Sequence, residues 1–137
     1  VEQPFFGWGL FLHADDIAKL GPFLGPDQGR IDDQTLLDER LLAQALQRDA
    51  DHRGLQVAHL ESFRYQHGFW ARNLQKELDC DQPTWVPFMS GFGGILVVMF
   101  PNGAVWYSAA DDGELASINF AKPAQELAKL GSICTSS

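Results

Sequence analysis

WVPFMSGFGGILVVMFPNGAVWYSAADD, residues 85–112, is the stretch around which the rest of the chain must be arranged. Its middle, ILVVMF at 95–100, is an unbroken apolar run rich in Val and Ile. Successive side chains of an extended strand point to opposite faces, so both faces of this one are apolar and both need cover. Asn102-Gly103 follows, two residues that tolerate the positive φ of a tight hairpin, and Val105-Trp106-Tyr107 resumes a β-rich pattern. Upstream, Gly91, Gly93 and Gly94 interrupt the pattern between Thr84-Trp85-Val86 and Ile95, where one strand ends and a close turn begins. The reading is a three-strand antiparallel meander near 84–110, packed by helices in an α+β fold.

The flanks supply those helices. A helix over about 14–23 has Ile17, Leu20 and, just past its end, Leu24 on one stripe, with Asp15 and Asp16 where the amino-terminal dipole favours carboxylates, and Gly21-Pro22 and Gly25-Pro26 stop or kink the segment. Residues 31–47, with Leu36, Leu37, Leu41, Leu42, Ala45 and Leu46, suit one amphipathic helix or two short ones. Residues 49–53 form a polar connector, 65–70 (YQHGFW) read as a short strand, and 79–83 read as loop. Asp111-Asp112-Gly113-Glu114 is a turn, and a closing helix runs from near Lys122, with Pro123 in its first turn, to near Leu130, with Gly131 as C-cap.

Composition narrows the function classes. A chain of 137 residues, 45% hydrophobic, is sized for one domain, 1–137, with a core of its own. Lys plus Arg number 10 against 18 Asp plus Glu, a net charge of −8 with no basic run, which excludes nucleic acid as a partner. No apolar run approaches the roughly 20 residues of a membrane helix, so no membrane span is expected. The four histidines spell no H-E-x-x-H, and neither they nor the two cysteines have metal-ligand spacing. No metal or other cofactor is expected. Val1 is not an initiator Met and leads straight into Pro4-Phe5-Phe6, which suggests a piece of something longer.

The order of motifs resembles a known family. GLFLHADDIAKLG at 9–21 resembles the G-x-F-x-x-x-x-D-x-A-K-L-G helix of serine β-lactamase-like and penicillin-binding-protein-like hydrolases, in their class C and esterase branch. Tyr65-x-x-Gly68-Phe69-Trp70 resembles that branch's Y-x-x-G-W-like strand. Ser90-Gly91-Phe92-Gly93-Gly94, the apolar strand, Phe100-Pro101, the hairpin and the closing helix resemble its carboxyl-terminal sheet. The resemblance implies an antiparallel sheet with helices on both faces, and acyl transfer. In that chemistry a Ser in S-x-x-K attacks, the Lys and a Tyr or Ser move protons, and a K-T-G-like strand holds substrate and offers an oxyanion-hole amide.

Only the last of these parts has a counterpart here. Asp16, Asn73, Asn119 and Glu126 stand three residues before the four lysines, so S-x-x-K is absent, and Ser117-Ile118-Asn119 spells S-x-N on the wrong side of the hairpin. Met89-Ser90-Gly91 falls at the K-T-G place, with Ser90 for Thr and an uncharged Met for Lys or His. The resemblance makes Ser90 and Gly91 substrate-binding and the Phe92 amide the oxyanion donor, with Tyr65, His67 and Trp70 as a cleft wall. The plainer reading makes Ser90 a small residue at a strand end and the aromatics packing. The expected function is the carboxyl-terminal part of a serine hydrolase acting on a small-molecule ester, amide or lactam, without its nucleophile. The alternative is a non-catalytic binding or scaffolding domain of the same fold. Either way the bare sheet edge calls for a partner, the upstream segment of the same protein or a second copy.

Cys80 precedes the first strand of the meander and Cys134 follows the closing helix. In an up-down-up meander the third strand parallels the first, and a helix folding back from it returns to the edge where the first begins. Both cysteines then lie at one end of the domain, close enough for a disulfide. Such a bond needs an oxidising compartment, which favours a secreted or periplasmic protein.

Overall fold

The computed structural model describes residues 13–48, 50–91, 95–109 and 120–134. The chain is α+β. Its centre is a six-stranded antiparallel sheet in which every strand pairs with its sequence neighbour: β3 (Leu55–Val57), β4 (Leu60–Gln66), β5 (Phe69–Asn73), β6 (Trp85–Gly91), β7 (Ile95–Met99) and β8 (Val105–Ser108). The three-strand meander read from the sequence is the second half of this sheet.

The two faces of the sheet are covered separately, as the ILVVMF run demands. On one face Val86, Phe88, Leu96, Val98 and Phe100 join Phe63, Leu74, Phe120, Ala124 and Ile133 in a buried cluster beneath α4 (Ala121–Leu127). The Phe120 ring is its centre, 5.2 Å from Phe88 and 6.3 Å from Phe100, edge-on to both. On the other face Met99 packs with Leu24 of α1 (Ala14–Leu24) and with Leu42 and Leu46 on and beside α2 (Glu39–Ala45). The approach of α1 is close: a Cβ on Gly21 would stand 2.2 Å from Val105 Cγ2 on β8.

Local chemistry sets several boundaries differently from the sequence reading. The segment 31–47 is not one helix. Arg30–Ile31 (β1) and Gln34–Thr35 (β2) form a small hairpin around Asp32, whose φ is +52°, and the Gly29 carbonyl accepts from Leu36 N and Leu37 N. The helix waits for Asp38, which accepts from Leu41 N as N-cap, and Leu36, Leu37 and Leu41 remain exposed. The segment 65–70 is a hairpin rather than one strand: His67 (φ +47°) and Gly68 (φ +86°) make a two-residue turn between Gln66 and Phe69. Asn102-Gly103 is not a two-residue turn, because only Gly103 has positive φ and Gly103 N donates to Phe100 O. Pro101, with its fixed φ, takes the first corner, and the Asn102 side chain is used elsewhere. Its Oδ1 accepts from Ala104 N, and its Nδ2 donates to Gly131 O at 2.9 Å and Leu127 O, tying the hairpin to the end of α4. That helix ends in Ala128 as C-cap, not at Gly131, with a tightened turn through Leu130.

Cys80 and Cys134 are joined, with Cα atoms 5.5 Å apart. The bond fastens the loop after α3 (Gln75–Leu78) to the chain's return from α4. The same corner is held by Asn73 Oδ1, which accepts from Gln75 N and Thr84 N, and by an Arg72–Glu77 ion pair at 2.7 Å over the Phe63 and Phe120 rings.

Candidate functional site

Ser90 and Gly91 end strand β6, paired across to Leu96 and Ile95 of β7. Val86 and Phe88 lie in the cluster under α4, so alternation places Ser90 on that face and Met89 on the face of α1 and α2. Both Ser90 and Gly91 are half-buried.

Three of the sequence-selected residues converge on this end of the sheet. The β4–β5 and β5–β6 registers put Tyr65 beside Trp70 and Trp70 beside Phe88, one continuous row across three strands. Tyr65 meets Trp70 edge-on at 5.0 Å, and Trp70 lies nearly parallel to Phe88 at 6.2 Å. Ser90 is the next residue beyond Phe88 on the same face. Carrying the β5–β6 register past Trp70 and Phe88 sets the turn residue Gly68 level with Ser90, so the exposed His67 stands at the same rim. Trp70 is packed against the core, whereas Tyr65 is 44% exposed and open to a ligand.

The grouping is not a complete catalytic set. Among the described residues the Ser90 hydroxyl makes no hydrogen bond to a Lys, His or Tyr that would take its proton. Phe92, the expected oxyanion donor, lies outside the described residues, as do Gly93, Gly94, residues 1–12, the 111–114 turn and Ser117-Ile118-Asn119. Met89, which the resemblance would set where a cation is expected, is half-buried and packs against the Leu24, Leu42, Leu46 and Met99 cluster.

Among the described residues no three His, Cys, Asp or Glu side chains are grouped to hold a metal ion, and no helix is long and apolar enough to cross a membrane. A polar network that sequence reasoning missed pins α2 to the sheet. Gln47, fully buried with φ +53°, donates to Phe69 O, Gln66 donates to Gln44 O, and Gln44 bonds His52. Its sequence signal is faint, since isolated glutamines in polar segments normally signify solvent.

In comparisons with known proteins, no family model matches the chain, and no curated protein or solved structure is significantly similar to it.

Proposed function

We propose that this chain is the carboxyl-terminal part of a serine β-lactamase-like hydrolase that transfers the acyl group of a small ester, amide or lactam. In this reading the chain supplies the substrate strand and the oxyanion amide, and the nucleophile belongs to sequence upstream of Val1. The observation that carries the proposal is the placing of Ser90 and Gly91. They close the end of an interior strand, one step beyond the Tyr65–Trp70–Phe88 row and level with the His67-Gly68 turn, in a sheet with helices on both faces.

Ser90 then offers a hydroxyl to the substrate, and the Phe92 backbone N–H donates to the oxygen that gains negative charge as the tetrahedral intermediate forms. Tyr65 and His67 line the rim that the leaving group or acyl chain passes. Among the described residues β8 is the last strand of the sheet, and its outer edge is the place for an upstream strand of the same protein, or for a second copy where that strand is missing. The disulfide suits a secreted or periplasmic site of action.

A second reading is favoured by Met89. An apolar side chain packed into the Leu24 cluster cannot attract a substrate carboxylate, which suits a non-catalytic binding or scaffolding domain of the same fold. Turnover of a chromogenic ester and a β-lactam by the full-length parent separates the two. Turnover by the parent with none by residues 1–137 is expected; an inactive, folded parent supports the scaffold instead.

A further inference from the structure

A cavity lies toward the opposite end of the same strand. Ser90 and Trp85 are five residues apart on β6, about 17 Å at roughly 3.3 Å per residue, and the cavity is at the Trp85 end. It has a volume of about 440 Å³, inside the roughly 300–1,000 Å³ of small-molecule sites. Its walls are Leu46, Trp85, Pro87, Met99 and Pro26, with the Phe100–Gly103 turn as rim.

Among the described residues the lining carries one ionisable side chain, Arg48, and no carboxylate. That is a notable inversion in a chain with 18 acidic and 10 basic residues. Arg48 is held by its neighbours: Nη2 donates to Leu24 O at 2.6 Å and to Gly25 O at 3.2 Å, the carbonyls that end α1. Both bonds use Nη2, which belongs to both of the guanidinium's two-pronged edges, so a bound carboxylate would take a single charge-assisted bond, from Nη1 or Nε. Trp85 is equally fixed, with the Arg64 guanidinium 4.9 Å from its ring centroid. Desolvation pulls the Arg48 pKa below its ordinary value and the nearby Glu39 carboxylate opposes this; an arginine so placed is still a cation at neutral pH.

We propose that this cavity binds a small apolar carboxylate, its hydrocarbon part against Trp85, Pro87 and Met99 and its carboxylate on Arg48. One guanidinium among apolar walls matches one planar monoanion. A phosphate dianion would leave charge uncompensated in a protein of net charge −8, and an amine would be repelled. The site is independent of the function proposed for Ser90.

The test uses the 137-residue chain with an intact disulfide, titrated with phenylacetate, phenylacetamide and phenethylamine while backbone amide shifts are followed by NMR. Phenylacetate is expected to move the amides of Leu46, Trp85 and Gly103 saturably, with the neutral amide at least about tenfold weaker because it forfeits the charge-assisted pair. Arg48→Gln should reduce phenylacetate to the level of the amide. Because that change also removes the bonds to Leu24 and Gly25, Pro26→Trp serves as a second variant, filling the exposed mouth without touching Arg48 and abolishing binding of both compounds. No saturable shifts at millimolar phenylacetate, equal affinity for acid and amide, preference for the amine, or binding unchanged in Pro26→Trp would each overturn the proposal.

Discussion

Replacing Gly21 by Ala tests the closest contact between α1 and the sheet. A helix interior ordinarily gains about 1 kcal/mol from Gly→Ala, so helix propensity alone predicts a more stable protein. Here the added Cβ would stand 2.2 Å from Val105 Cγ2, 2.9 Å from its Cβ and 3.2 Å from Cγ1. Carbon atoms rest about 3.5–4.0 Å apart, and the β-branched Val105 has no alternative rotamer that clears three contacts at once. The helix must therefore lift from β8 by more than an ångström, loosening the packing of Leu24 and Leu46 on Met99. Overpacking of this kind costs about 1–3 kcal/mol, and a contact this short belongs at the upper end. After the propensity gain the net loss is about 2 kcal/mol. For a chain of this size that lowers Tm by roughly 8 °C. Thermal unfolding by circular dichroism measures it, with Val105→Ala and the double variant completing a cycle. The double variant should recover at least about 1 kcal/mol relative to the sum of the singles. A Gly21→Ala protein as stable as the parent chain, or strictly additive variants, would refute the close approach.

Three further outcomes are expected. Cys80→Ser/Cys134→Ser should be destabilised by at most about 4 kcal/mol, the chain entropy of a loop whose ends are 54 residues apart, and thiol titration of unreduced, denatured protein should find no free thiol in the parent chain. Phe120→Ala, which empties a fully buried site among Phe88, Phe100 and Arg72, should cost about 3–5 kcal/mol in a urea titration. Asn102→Ala removes the side-chain bonds to Ala104, Leu127 and Gly131 and should cost about 1–2 kcal/mol; faster amide exchange confined to the 104–108 and 127–134 backbone would be its signature.

How far the sequence was legible follows from what each segment buries. The ILVVMF run announced a two-sided strand because Leu96, Val97, Val98 and Met99 are all buried, and α1 was readable from Ile17 and Leu24. Strands β3 and β4 left almost no pattern: of their side chains only Phe63 is buried, and Leu55 is 81% exposed, so their pairing rests on backbone hydrogen bonds. The leucines at 36, 37 and 41 carried helical spacing yet are exposed, because Asp38 as N-cap and the Gly29 carbonyl override that spacing. His67-Gly68 hid a hairpin because His seldom takes positive φ, while Asn102 advertised one and instead spends its side chain on α4. Of the candidate site, Tyr65, Ser90 and Gly91 could be chosen from motif order. Their common rim required the register of β4, β5 and β6, which no local pattern carries.

The proposal that this chain shapes an acyl-transfer site whose nucleophile lies elsewhere in the protein has a direct test. The most direct measurement treats the full-length parent, taken from its native compartment, with a fluorophosphonate and maps the adduct by peptide mass spectrometry. The expected result is a single modified Ser upstream of Val1 with a Lys three residues after it, and Ser90 unmodified. An adduct on Ser90, or a folded parent with no adduct at any Ser, would contradict it.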